Sequence, residues 1–389
     1  LTSVPQRLSS APRSTASTPP LPRRLWNALR GLLLSEYFIL YLSIAYFLLI
    51  SLFFPTLLEP SNLSNQLTNI WPLLTIAIGQ TFVLIIAGID LSQGSVMAIC
   101  SVVGGVILST SLSKSVMSNS PLWGTLLTEK GGILSGDPNA VLVAVLLMVA
   151  VGALIGFING TAITRFNMPP FMVTLVSLLF FSAFAIYLTQ SRNIANLPDS
   201  FLRLGQGDIV SVYLGEKATP QIKRTELLSL VTYSAVIAVA LGVVAHFILS
   251  RTVFGRQMYA IGTNRRAAEI SGVPTRRVIT LVYMFSGACA GLAAVIYSAR
   301  LGAGRPTLGD NLLLDIIGAT VIGGTSLFGG KGKVLWTLFG VVFFTLLLNT
   351  LNQMRLSAFQ IDAVKGSVIL LAALIDVTRN RFLTGGRVA

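Results

Sequence analysis

Apolar runs of about 18–24 residues recur along this chain, each long enough to cross ~30 Å of hydrocarbon as one helix. Within lipid every backbone N–H and C=O must find an internal partner, so helices are the form such runs take. A soluble chain of 389 residues would need a polar shell around its core, and only 11% of these residues are charged. Ordinary soluble domains carry roughly 25%. Hydrophobic residues reach 53% and the mean hydropathy is +0.77. These features predict an all-α polytopic membrane protein.

About ten spans are expected, at 37–54, 70–87, 95–112, 140–159, 171–188, 227–249, 278–298, 314–328, 334–351 and 363–377. The first has the basic flank of a signal peptide, but its apolar core is too long and no small-residue cleavage site follows, so it reads as an anchor. Residues 1–35, rich in Ser, Pro and Arg, predict a disordered basic tail, and 381–389 a second short tail. Leu1 stands where a methionine would open a chain, as an alternative start codon or trimming would leave it.

With both termini in the cytoplasm, most of the 28 Lys and Arg fall in the inner segments 1–36, 160–170, 250–277, 330–333 and 378–389. That is the positive-inside pattern, and the acidic residues lean outward. The net charge of +14 is thus scattered between spans. It forms no basic stripe with interleaved aromatics, so nucleic acid is not an expected partner. "GFINGTAITRF" (156–166) and "LLLNTLNQMRL" (346–356) end spans that point in opposite directions, an echo of the inverted repeats from which transporters are built.

"VIGGTSLFGGKGK" (321–333) has the glycines and lysines of a phosphate-binding loop. The pattern G-x-x-x-x-G-K-[ST] nevertheless fails. Thr325 and Leu327 stand where the first glycine is needed before Lys331 and Lys333, and Gly332 and Val334 where the hydroxyl is needed. These glycines are expected to let backbones approach closely instead.

"AGIDLSQGS" (87–95) interrupts two apolar runs with Asp90, Ser92, Gln93 and Ser95. A carboxylate in hydrocarbon must be paired, neutralised or near water. Asp90 could cap the following helix, line a solute path or relay protons; capping is the favoured reading, and Asp315 reads in the same way. Gln80, Thr81, Asn159, Thr174, Asn349 and Asn352 place amides and hydroxyls within spans. Such groups join helices more often than they touch cargo, although a polyhydroxylated solute could use them. Gln80, Asp90, Ser92, Gln93, Asn159, Asn349 and Asn352 are therefore the candidates for a translocation path.

"FGRQMYAIGTNRRAAEISGVPTRR" (254–277) is the longest ordered inner loop, with a short helix expected over 264–270, Asn264 as N-cap and Ser271–Gly272 as the stop. Its arginines suit either acidic lipid headgroups or a docked soluble partner. Cys100 and Cys289 lie in apolar runs and read as small buried hydrophobes, and His246 has no metal-ligand spacing around it. No Ser/His/Asp set or paired carboxylates point to an enzyme.

Taken with "NMPPFMVTLVSLLF" (167–180) and "LDIIGATVIGGTSLFGGKG" (314–332), the motifs at 87–98 and 255–273 resemble the permeases of bacterial ABC importers for simple sugars, of the ribose/xylose/galactose type, over roughly residues 35–380. The resemblance implies a dimeric permease in the bacterial inner membrane, with a second copy of the chain or a related one. It also implies separate cytoplasmic ATPase subunits, which hold the ATP and magnesium, a periplasmic sugar-binding protein, and no cofactor on this chain. The loop 250–277 becomes the ATPase-coupling element: Gly255, Arg256, Asn264, Ala267, Ser271 and Gly272 match the family pattern, and Gly262 lies among them. Arg266 and Glu269 reverse the signs that members often carry there, which puts the identity of the partner ATPase in question; they could still pair on the helix. The outer loops 113–139 and 189–226 exceed what compact members need and read as tolerated insertions or contacts for the binding protein. Alternating access would carry the cargo. A same-architecture permease for nucleosides, amino acids or a signalling sugar, and a proton-coupled secondary transporter, remain the rivals.

Overall fold

A computed structural model describes residues 35–213 and 227–383. Residues 1–34 and 384–389, which make up most of the expected tails 1–35 and 381–389, and residues 214–226, the last part of the loop 189–226, lie outside the described residues. By contacts the chain divides after Phe38, and the unit from Ile39 onward holds the helical bundle.

Thirteen labelled helices and one hairpin follow in order. They are α1 (Phe38–Phe53), α2 (Pro60–Ile85), α3 (Gln93–Leu108), α4 (Ala140–Arg165), α5 (Pro170–Thr189), α6 (Asp199–Gln206), β1 (Asp208–Tyr213), β2 (Leu227–Thr232), α7 (Tyr233–Arg251), α8 (Val253–Thr263), α9 (Arg265–Ile270), α10 (Thr275–Leu301), α11 (Leu313–Ile322), α12 (Val334–Gln353) and α13 (Ala358–Leu383). Among the described residues six helices are long and apolar enough to cross a membrane: α2, α4, α5, α7, α10 and α12. The apolar helices α1, α3 and α11 are shorter.

Local chemistry sets these boundaries. Proline at the first turn opens α2 and α5, where its missing N–H costs nothing. Gly302, left-handed at φ 68°, closes α10. Two expected spans change. The run 314–328 is helical only to Ile322, about 15 Å of rise, because Gly323 is pressed against the Trp336 backbone and Gly324 turns the chain at φ +108°. The run 227–249 begins as strand β2, paired antiparallel with β1, and Thr232 then caps α7 by accepting from the Ala235 N–H.

α10 forms the centre, packed along α4, α2 and α3. The α4–α10 seam is made of glycine: a Cβ on Gly152 would strike the Gly287 carbonyl, and one on Gly156 the Tyr283 carbonyl. The spacing G-x-x-x-G in both helices permits this approach. The loop 113–139 has a structural task. The N–H groups of Gly132, Ile133 and Leu134 donate to the carbonyls of Ser109, Val106 and Ile107 at 2.8–3.1 Å, which satisfies the open end of α3.

Candidate functional site

Two helix-break-helix units cross inside the bundle. α2 is followed by the non-helical stretch 86–92 and the short α3; α10 is followed by 302–312 and the shorter α11. Gly94, at the start of α3, and Gly309 meet backbone to backbone, so that a Cβ on either would lie 2.6 Å from the other's carbonyl oxygen. The echo of 156–166 with 346–356 falls on the ends of α4 and α12, the helices that come next in each unit. Units α2–α3–α4 and α10–α11–α12 thus have the layout of an inverted repeat with broken helices at its centre.

Asp90 anchors the first break. Its Oδ1 accepts from the Ser92 N–H at 3.0 Å and from Ser92 Oγ at 2.6 Å, and its Oδ2 accepts from Ser286 Oγ of α10 at 2.8 Å. Gln93 Nε2 donates to Ser286 Oγ at 2.8 Å, and Asn159 Nδ2 of α4 donates to Ser92 Oγ at 3.0 Å. Asp90, Ser92, Gln93, Asn159 and Ser286 are all buried. The carboxylate therefore forms a turn just ahead of α3 and ties it to α10; Ser92, not Asp90, is the residue at the N-cap. Gln80 is also buried, and its amide meets no hydrogen-bond partner among the described residues. Thr81 pairs with Thr337 of α12 at 2.6 Å, while Thr174 donates to the Ile89 carbonyl at 3.3 Å.

Asn349 and Asn352 sit elsewhere, at the far end of α12. Asn349 is half-buried and donates to Asn62 Oδ1 of α2 at 3.0 Å, and Asn352 is exposed. The structure accordingly gathers five of the seven path candidates into the core and leaves two at one mouth of the bundle.

At the other end α8 and α9 form a ledge. Asn264 Oδ1 accepts from the Ala267 N–H at 3.0 Å and starts α9. Gly272, at φ +80°, ends it, with Gly272 N–H bonded to the Glu269 carbonyl and Val273 N–H to that of Ala268, the pattern that stops helices at glycine. Arg256, Arg266, Ala267, Ser271 and Gly272 are exposed. Glu269 pairs with Arg265 at 3.1 Å rather than with Arg266, and accepts from Thr275 Oγ1 at 2.9 Å. Hydrogen bonds from Thr275 and Arg265 hold its carboxyl below the usual range. Ile270 is 81% exposed, an apolar side chain at the tip of a charged ledge.

The glycine-rich stretch braces this ledge. Gly330 N–H donates to the Ile85 carbonyl at 2.9 Å, and a Cβ on Gly262 would collide with that same carbonyl. Gly255 packs closely on the Leu249 carbonyl, and Tyr259 OH donates to the Gly332 carbonyl at 2.7 Å. Movement of α8 would press directly on the break after α2.

Residues 62–377 match the family described as "Branched-chain amino acid transport system / permease component". The chain belongs to this family. The permease is 35% identical over 332 residues to the ribose import permease protein RbsC of Bacillus subtilis (strain 168), covering 85% of this chain and 88% of the relative. It is 29% identical to the xylose transport system permease protein XylH of Haemophilus influenzae, over 83% of this chain and 91% of the other. The galactose/methyl galactoside import permease protein MglC of the same organism is 30% identical, over 83% and 88%. No solved structure matches. The permease is thus a multi-pass membrane transport component.

Some of its machinery had no clear signature in the sequence. Ser286 lies in an otherwise apolar run, and only the Asp90 partner gives it meaning. The G-x-x-x-G spacings at 152–160 and 287–291 are the signal that could have marked the seam, and the polar stretch "PSNLSNQLTN" (60–69) the one that could have marked the first half of α2 as too hydrophilic for lipid.

Proposed function

We propose that this permease is the membrane-spanning subunit of an ATP-binding-cassette importer that moves a simple sugar delivered by a periplasmic binding protein. The observation that carries the reading is the ledge: a capped, exposed helix α9 with an apolar tip, joined through α8 to the backbone at Ile85. ATPase subunits docked there would shift α8, and the Gly262–Ile85 contact would pass that shift to the α2–α3 break. Both termini then lie in the cytoplasm, the α6 end faces outward, and two permease copies share a pair of ATPases that bind ATP and magnesium. In this conformation Gln80, Asp90, Ser92, Gln93 and Asn159 are sealed between helices, so cargo would meet them only when α3 parts from α10. Asn349 and Asn352 stand at the outer mouth.

The relatives named for ribose, xylose and galactose carry the choice of sugar over the branched-chain amino acid of the family's description. The test is reconstitution in proteoliposomes with the ATPase and binding protein. ATP-dependent sugar uptake is expected, and deletion of residues 264–272 should abolish it while the chain still inserts. Uphill uptake by the permease alone, or uptake driven by a pH gradient without ATP, would overturn the proposal.

A further inference from the structure

The end of the bundle opposite the ledge holds a cavity of about 330 Å³, at the lower end of the roughly 300–1,000 Å³ typical of small-molecule sites. It is lined by Asn69 of α2, Tyr297 and Arg300 of α10, and Arg305, Asp310 and Asn311 of the stretch 302–312. That stretch turns back into the bundle. Arg305 N–H donates to Ser101 Oγ at 2.8 Å, Ser101 and Ser298 share a bond of 2.7 Å, and Gly309 reaches Gly94. Gly94 precedes Ser101 by seven residues, about 10 Å further along α3. The cavity therefore descends from the end of α10 toward the crossing of the two broken units.

Its chemistry is selective. Arg300 is half-buried and donates to Asn69 Oδ1 at 2.6 Å, and neither Arg300 nor Arg305 makes an ion pair among the described residues. Their guanidinium groups offer fixed sets of donors, Asp310 offers acceptors, and Asn69 and Asn311 offer both. Paired planar donors and acceptors suit neighbouring hydroxyls, each of which both gives and takes a hydrogen bond. The Tyr297 ring adds an apolar surface of the kind that one face of a sugar ring presents.

We propose that this cavity is an outer access subsite for a neutral monosaccharide. The proposal rests on the importer reading, which places this end outside. A weak site suits the location, since passage requires that cargo leave as readily as it binds.

The test uses the permease–ATPase complex in membranes, without the binding protein. Thr307→Cys places a thiol on the exposed rim of the cavity, and Cys100 and Cys289 are buried and contribute little background. Maleimide labelling is timed with millimolar D-ribose, D-xylose, D-galactose or L-leucine. The sugar that the complete importer takes up is expected to slow labelling several-fold, with leucine inert. Adding Asp310→Asn or Arg305→Gln should remove most of that protection without changing the unprotected rate. Equal rates with every solute, while uptake of a sugar proceeds, would overturn the subsite and leave the importer reading standing. Protection by leucine alone would overturn its chemical class. If the complete importer takes up no sugar, the importer reading fails and the subsite fails with it.

Discussion

Asp90 and Ser286 are joined across the bundle by a 2.8 Å hydrogen bond, and both residues are closed to solvent. With the two donors from Ser92, the carboxylate accepts three bonds and fastens the α2–α3 break to α10. Taking away the acceptor strands buried donors, at about 1–3 kcal/mol each. Asp90→Ala is expected to lower the melting temperature of the purified permease more than Ser286→Ala does, with Asp90→Asn in between. Thermal stability read by size-exclusion chromatography checks the order, and a wild-type melting temperature for Asp90→Ala would refute the joint.

Gly156 and Gly366 give opposite expectations for the same substitution. A Cβ on Gly156 would run into the Tyr283 carbonyl, which is backbone and cannot swing away, whereas nothing lies within 4 Å of one on Gly366. Gly156→Ala should therefore destabilise by about 1–3 kcal/mol through overpacking. Gly366→Ala, on the helix α13, should be neutral or gain up to ~1 kcal/mol from helix propensity. The same melting assay separates them.

Much of this arrangement is legible in the sequence. Long apolar runs dictate helices in lipid whatever their partners, which is why spans such as 140–159 and 334–351 fall within α4 and α12. Asn264 and Gly272 act through backbone groups a few residues away, so the limits of α9 could be read locally. The short α11 could not. Its end depends on Trp336 and on Gly340 of α12, whose Cβ would meet the Ala319 carbonyl, and these contacts exist only once α11 and α12 pack. The cavity at Arg300 was hidden for the same reason, since its wall joins residues as distant as Asn69 and Asp310.

Asp315 and Lys365 form a buried ion pair at 2.7 Å between α11 and α13, with side chains 8% exposed. Asp315 was expected to cap its helix; Leu312 stands at the N-cap with no side-chain bond, and Asp315, in the first turn, fixes α13 instead. Breaking a buried pair from one side leaves a bare charge, costing about 3–5 kcal/mol, whereas replacing both partners by apolar groups is often close to neutral. Lys365→Met alone should thus reduce the yield and melting temperature sharply. The double variant Asp315→Leu with Lys365→Met should recover most of the loss. Additive losses in the double-mutant cycle would show that the two charges are not coupled.

Glu269 supplies the pH test of the ledge. The bonds from Thr275 Oγ1 and Arg265 Nε hold its carboxyl below the ordinary value of 4.5. A pKa depressed in the folded state means that folding favours the charged form, so the stabilisation is fully present above the ordinary carboxylate range. It is lost as the pH falls through the folded value. Because the group is exposed, the effect should be confined to the α9–α10 junction and weaken with salt. Amide hydrogen exchange over residues 265–276, corrected for its intrinsic pH dependence, is expected to stay slow from neutral pH into mild acid and to quicken below it. Glu269→Gln should lack that acid step, and Arg265→Ala, which removes one of the two donors, should move it up toward 4.5. An undiminished step in Glu269→Gln would assign the titration to another group and detach Glu269 from the hold on α9.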